Sequence, residues 1–306
     1  MSNSNFSDES QKQSYLNSSK SKLKKTLDDK FFRENMIKPK IRAMKDEEKA
    51  GTCRCQLTRS SSKWSTGLNP DQHEMSIQNA YIQSIQSAEH FIYIENQFFM
   101  SSTADEKIVK NQIVQSIVFK IIEMHKKKKP FKVVIVLPLC PGFEGDVRTA
   151  AVLRIQMFWQ YMTISRGENS LFVQLENNGI DPDDYIHFFG LRNHALLNNK
   201  PVQEIIYIHS KMMVVDDRIA IIGSANINDR SMCGNRDSEL AMVIEDLKEA
   251  PSRMMGKPYK AATFAHTLRV ACWANIFGLS EEEVKDPLDM HLYEKILDNA
   301  DVFLNH

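Results

Sequence analysis

Between Ile205 and Ile244 the sequence sets an imidazole, an ammonium and a carboxamide at short, fixed offsets. His209 and Lys211 are two apart in Tyr207-Ile208-His209-Ser210-Lys211-Met212-Met213-Val214-Val215-Asp216. Side chains two apart on a strand share a face, about 6–7 Å from one another along the backbone, so the two cations are expected to project together. A histidine and a lysine side by side on a buried strand are costly to desolvate. A ligand bearing negative charge would relieve that cost. Asp216-Asp217 reads as a hairpin tip, with Ile219-Ala220-Ile221-Ile222 returning as the partner strand. With those two residues as the loop, Val215 faces Arg218, Ser224 falls opposite His209, and Asn226 lies one pleat beyond on the His209 side. Three groups suited to a phosphate would then converge. Gly223 permits close backbone approach. Asp216 lies at the tip, five residues from Lys211, and is expected to hold the turn through side-chain to backbone hydrogen bonds. His73, His90, His187 and His266 lack such company and read as satisfied core residues.

The elements that must position these groups alternate in type. Met75 to Ala88 has a helical stripe at Ile77, Tyr81, Ile85 and Ala88. Phe91-Ile92-Tyr93-Ile94 is a strand ending in Glu95-Asn96-Gln97. Glu106 to Met124 reads as a helix, apolar at Val109, Ile113, Ile117 and Ile121. The four lysines after it suit a helix C-terminus, where the macrodipole is negative. Lys132 to Leu139 fits a strand covered on both faces. A loop, Pro141-Gly142-Phe143-Glu144-Gly145-Asp146, leads to a helix near Val147 to Arg166. Strands are predicted at Ile186–Phe189, Ile205–Val215, Ile219–Ile222 and Glu239–Ile244, and helices at His266–Phe277 and Met290–Val302. This order predicts an α/β fold, a mixed β-sheet flanked by helices.

Composition bounds the function class. Of 306 residues, 42% are hydrophobic and 25% charged, and the formal net charge is zero. That is the mix of a globular protein without a global pull toward nucleic acid or anionic membrane. Five cysteines at irregular spacing suggest free thiols and a reducing, intracellular compartment. No apolar run approaches the ~20 residues that span a bilayer, and the N-terminus has no signal-peptide pattern. Residues 1–50 are poor in large apolar side chains and read as a disordered or loosely helical polar segment. Residues 51–306 read as the folded part, of alternating strands and helices.

The run His209-Ser210-Lys211, four residues, Asp216, six residues, Gly223-Ser224-Ala225-Asn226 resembles the HKD signature of the phospholipase D superfamily. The motif occupies about 203–230. Further segments resemble the eukaryotic phosphatidylcholine-hydrolysing branch: Gln56-Leu57-Thr58-Arg59-Ser60 with Lys63-Trp64-Ser65, Tyr93-Ile94-Glu95-Asn96-Gln97-Phe98-Phe99, Pro141-Gly142-Phe143-Glu144-Gly145-Asp146, Arg166-Gly167-Glu168-Asn169-Ser170 and Ile227-Asn228-Asp229-Arg230-Ser231-Met232. The resemblance runs from about Cys53 to the C-terminus. It implies one of two pseudo-symmetric lobes, each giving one HKD motif to a shared site. One histidine would attack phosphorus to form a phosphohistidine and the other would protonate the departing alcohol. By that resemblance His209 is the general acid and base, and Lys211, Asn226 and Ser224 contact phosphate. Glu239 resembles the acidic residue that orients an active-site histidine, with a structural ion pair as the rival reading. Glu95, Asn96 and Gln97 line or brace the site. No cofactor and no metal are implied.

One complete motif is present. His125-Lys126-Lys127 has the first spacing but Lys132 where aspartate should stand. Three expectations follow: a fragment of a two-motif enzyme, which is favoured; a chain that pairs with itself or another polypeptide to complete the site; or a catalytically inactive lipid-binding relative. The expected partner is a phospholipid at a membrane surface, with phosphatidylcholine converted to phosphatidic acid and choline, or to a transphosphatidylation product. The expected location is cytoplasmic and peripherally membrane-associated. A homodimeric HKD nuclease is the alternative, and the neutral charge balance argues against nucleic acid.

Overall fold

Valine and isoleucine dominate Phe91–Glu95 and Lys132–Val136, and the first is buried along its whole length. Such segments fit the interior of a parallel pair covered on both faces, and they pair in parallel. The computed structural model describes residues 51–103, 108–143 and 148–304. In chain order the elements are β1 (Cys53–Ser62), α1 (Lys63–Thr66), β2 (His73–Met75), α2 (Ser76–Ser87), β3 (Phe91–Glu95), α3 (Ile113–Lys126) and β4 (Lys132–Val136). Then come α4 (Ala151–Tyr161), continued by a π-helical turn at Met162–Arg166, α5 (Leu171–Glu176), β5 (Ile186–Phe189), β6 (Leu191–Leu197), β7 (Lys200–Ile206), β8 (Met212–Val215) and β9 (Ile219–Gly223). The chain continues through α6 (Asp229–Met232), β10 (Glu239–Asp246), β11 (Glu249–Met254), β12 (Lys257–Ala262), α7 (Thr263–Phe277) and α8 (Met290–Leu304).

Eight strands form one mixed sheet in the order β2-β1-β10-β9-β8-β3-β4-β5. β3, β4 and β5 are parallel and the remaining pairs antiparallel. Alternation along each strand sorts the core into two layers. Ile92, Ile94, Val133, Ile135, Met213, Val215 and Ile221 face α2, α3 and α5. Phe91, Tyr93, Val134, Val136, Met212, Val214 and Ala220 face α7 and the start of α8, around Trp273 and Tyr293. The architecture is α/β, a mixed sheet flanked by helices.

Four expectations are corrected. The helix predicted from Glu106 begins at Ile113. Its approach is bound elsewhere, since the Asp229 carboxylate accepts the backbone N–H groups of Lys110 and Asn111, each at 2.8 Å; residues 104–107 lie outside the described residues. The strand predicted over Ile205–Val215 is two, because β7 pairs with β6 as a separate ribbon and β8 begins only at Met212. His73 is exposed rather than buried, while His266 is buried and bonded to Asp217 at 2.8 Å. The hairpin register is also shifted, as described below. Residues 1–50 and Glu144-Gly145-Asp146-Val147 lie outside the described residues. Among the described residues no helix is long and apolar enough to cross a membrane.

Candidate active site

The turn that joins β8 to β9 sets the position of the HKD residues. Asp216 and Asp217 both have positive φ, 52° and 51°, a conformation in which aspartate is tolerated better than most residues. The Arg218 N–H closes the turn on the Val215 carbonyl at 2.9 Å, yet the ladder pairs Val215 with Ile219. Arg218 is therefore taken into the turn, and every pairing moves by one residue from the prediction. Lys211 faces Gly223, whose N–H donates to the Lys211 carbonyl at 3.0 Å. Ser224 turns the other way, its N–H donating to the Leu240 carbonyl at 2.9 Å. A Cβ on Gly223 would meet the Leu240 carbonyl at 2.4 Å, so glycine is required there by the backbone of β10.

Asp216 does not hold its own turn. Its carboxylate accepts the backbone N–H groups of Glu89, His90 and Phe91 at 2.6, 2.8 and 2.8 Å, which ties the turn to the start of β3. Burial pushes this carboxyl upward, against the pull of those three donors. Asp217 is fully buried and bonded through both carboxylate oxygens to Arg269, at 3.0 and 2.6 Å. The hairpin tip is thus fixed to β3 on one side and to α7 on the other.

His209 is exposed in the segment between β7 and β8. Lys211 is 8% exposed, and its ammonium donates to the His209 carbonyl at 2.6 Å and to Gln97 Oε1 at 3.0 Å. Two of its three protons are thereby used and one remains for a ligand. Burial pulls the Lys211 pKa below its ordinary value, opposed by the Glu239 carboxylate. An arriving anion would favour the charged form. The Asn226 Oδ1 is buried without a hydrogen-bond partner. A buried polar atom left unpaired in this way invites a ligand or a water.

Three consecutive residues at the end of β3 each reach a different part of this group. The Glu95 carboxylate accepts from the hydroxyls of Ser210 and Tyr93. Asn96, fully buried, accepts from the Ile227 N–H at 3.1 Å and donates to the Ala225 carbonyl at 3.5 Å. Gln97 holds Lys211 as above. The residue between His209 and Lys211, the two residues flanking Asn226, and the lysine itself are each held by one of them. Glu239 accepts from Ser231 at 2.6 Å and from Ser224. No hydrogen bond joins it to His209, so in this structure it braces Ser224 and the start of α6.

A cleft of about 530 Å³ opens beside Asn226. Its walls are mainly apolar, including Phe98, Met100, Phe143, Ile155 and Trp159, and Arg230 and Asp237 at its rim form a bidentate ion pair. The wall from α4, Ile155 with Gln156 and Trp159, was missed from sequence, although Ile155 and Trp159 stand at the i, i+4 spacing of one helix face.

A family model described as Phospholipase D matches residues 4–306. The chain is a member of the phospholipase D family. It is 48% identical over 253 residues to phospholipase D zeta 1 of Arabidopsis thaliana, covering 80% of this chain and 23% of that protein. It is 48% identical over 242 residues to phospholipase D1 of Schizosaccharomyces pombe, covering 78% and 18%, and 44% identical over 247 residues to phospholipase D1 of Homo sapiens, covering 79% and 23%. The chain thus spans about a fifth of the length of these relatives. Among solved structures, Nuc of Salmonella typhimurium, a phospholipase D family member, aligns at 16% identity with a TM-score of 0.37, over 74% of this chain and 95% of that one. NucT of Helicobacter pylori aligns at 14% identity with a TM-score of 0.34, over 63% and 86%. His125, of the incomplete run His125-Lys126-Lys127, lies in the last turn of α3 with its Nδ1 3.0 Å from the Tyr185 hydroxyl.

Proposed function

We propose that this chain supplies the second half-site of a phospholipase D, and that His209, Lys211 and Asn226 act on the phosphodiester of phosphatidylcholine at a membrane surface. The carrying observation is the bracing by Glu95, Asn96 and Gln97, which rigidifies the surroundings of an exposed imidazole, a lysine with one free proton and the Asn226 amide, whose Nδ2 is the end that can donate to a phosphoryl oxygen. Rigid donors aimed at a developing charge are what phosphoryl transfer requires.

In the first step a histidine of a complementary half, from a longer form of this chain, another copy or another polypeptide, attacks phosphorus. The bond to the choline oxygen breaks, and His209 in its protonated form gives that oxygen its proton. Neutral His209 then takes a proton from water as the water oxygen attacks the phosphohistidine, releasing phosphatidic acid and restoring both histidines. An alcohol in place of water gives the phosphatidyl alcohol. Lys211 and Asn226 hold the phosphoryl oxygens through both steps. The test is the protein with its complementary half, phosphatidylcholine vesicles and ethanol. Phosphatidylethanol should form and should vanish in His209→Ala. Turnover that survives His209→Ala defeats the reading, and metal-independent cleavage of single-stranded DNA with no lipid product would replace it with a nuclease.

A further inference from the structure

Tyr207 is more than a third exposed, at 37%, yet its ring is held on three sides. It lies against Gly142 of the Pro141-Gly142-Phe143 loop so closely that a Cβ there would stand 2.7 Å from Cζ and 3.0 Å from Oη. On another side lies the His209 imidazole, with ring centroids 6.2 Å apart and planes 29° from parallel, an offset stack within the range of favourable aromatic pairs. Its hydroxyl oxygen accepts from Gln97 Nε2 at 2.7 Å. The other end of that same amide, Oε1, receives the Lys211 ammonium at 3.0 Å. The amide orientation is therefore determined, with its oxygen toward the ammonium and its nitrogen toward the phenol.

We propose that Gly142, Tyr207 and Gln97 form a platform that orients the His209 ring and couples its placement to that of the Lys211 ammonium, Tyr207 being the positioning residue. Gly142 is the floor, because any side chain there displaces the tyrosine ring. The phenol ring limits the swing of an imidazole that has no hydrogen bond to protein among the described residues. Gln97 links the platform to the lysine, so the two phosphate-directed groups keep one relative placement. An exposed imidazole otherwise samples several χ1 and χ2 wells, and loss of placement at a reacting group costs up to roughly a hundredfold in rate. The consequence for turnover rests on the reading of His209 given above. The consequence for ring orientation does not.

The test uses the whole chain labelled with ¹³C-histidine, in which the His209 Cε1–H signal is assigned by its loss in His209→Gln. Tyr207→Leu should shift that signal by removing the neighbouring ring current, and Gly142→Ala should shift it by displacing the tyrosine ring. Tyr207→Phe, which keeps the ring and loses the hydroxyl, should leave it near the parent position. In the protein with its complementary half, Tyr207→Leu and Gly142→Ala should lower kcat roughly ten- to a hundredfold with KM little changed, and Tyr207→Phe, which keeps the ring and cuts only the link to Gln97, should lower it by less. The proposal is overturned if the His209 signal is unmoved in both Tyr207→Leu and Gly142→Ala or if Tyr207→Phe is as damaging as Tyr207→Leu, and its coupling to Lys211 is overturned if Tyr207→Phe turns over at the parent's rate. Should Tyr207→Leu fail to fold, Gly142→Ala and Tyr207→Phe decide by the same signal. Expected shifts in a protein that never forms phosphatidylethanol would uphold the platform and defeat the phospholipase reading.

Discussion

Lys211 and Asn96 are both buried polar side chains at one site, and their energetics are opposite. Asn96 is fully buried and gives its amide to two segments, receiving the N–H groups of Ile227 at 3.1 Å and Phe98 at 3.2 Å. Asn96→Ala strands those donors, and an unsatisfied buried group costs about 1–3 kcal/mol. Chemical denaturation should show a loss of that size, with unchanged m-value. Lys211 carries a charge that burial disfavours, and its protein partners are a side-chain amide and a carbonyl rather than a carboxylate. Lys211→Met is expected to leave unfolding stability within about 0.5 kcal/mol of the parent or to raise it, as replacement of strained functional groups often does. The same variant should abolish phosphatidylethanol formation. A large loss of stability in Lys211→Met would assign the residue to the fold instead.

At the scale of elements, the hairpin β8–β9 is where the sequence is most and least informative. Its strands are legible because Met213-Val214-Val215 and Ile219-Ala220-Ile221 are apolar and bounded by aspartates, and β3, β4 and β5 are legible for the same reason. The register is not, because nothing in Asp216-Asp217-Arg218 marks whether arginine belongs to the turn or to the ladder. The apolar run from Ile205 to Val215 likewise reads as one strand. It divides because side chains around Tyr207-Ile208-His209-Ser210-Lys211 bond to the end of β3 and to Gln97 rather than entering a ladder. β1 escapes notice for the opposite reason, since Arg54, Gln56, Thr58 and Ser60 leave it without an apolar pattern, and its pairing with β10 and β2 shows it as a strand. Of the candidate site, the bracing by Glu95-Asn96-Gln97 was foreseeable from a polar cluster at a strand end, whereas Tyr207 stood beside the motif and carried no mark of its role. Gly223 tests how closely β9 and β10 approach. An alanine there must push its Cβ into β10, against the Leu240 carbonyl and the Ala241 side chain, both within 2.5 Å. Overpacking of this kind costs about 1–3 kcal/mol, and Gly223→Ala should lower the thermal midpoint accordingly. A Gly223→Ala protein with the parent's midpoint would overturn that close approach.

Across the whole molecule, the HKD turn is joined to the core layer beneath α7 by one buried cluster. Asp217 and Arg269 are both fully buried, and His266 adds a third contact to the same carboxylate at 2.8 Å. Arg269 also lies over the Phe91 and Trp273 rings, 5.7 and 5.0 Å from their centroids, and donates to the Lys285 carbonyl at 2.9 Å. The turn that carries the motif is therefore fastened to α7 and to the segment before α8. Burial alone would raise the Asp217 carboxyl, but the Arg269 guanidinium and the His266 ring overcome it and hold it below the usual carboxylate range. A carboxyl whose folded-state pKa is depressed contributes stability that is fully present above its unfolded value, near 3.9, and is lost as pH falls through the folded value. Asp217→Asn leaves the guanidinium buried without its counter-charge, a loss of about 3–5 kcal/mol at pH 7. The difference between parent and Asp217→Asn should therefore be constant from pH 7 down to about pH 5 and narrow below about pH 4, where the unfolded parent takes up a proton on this carboxyl that the folded parent does not. Urea unfolding of both proteins across that range measures it. A difference that stays constant to pH 2 would mean that the pair is held by packing rather than by charge, and that the HKD turn is not anchored electrostatically to the second layer.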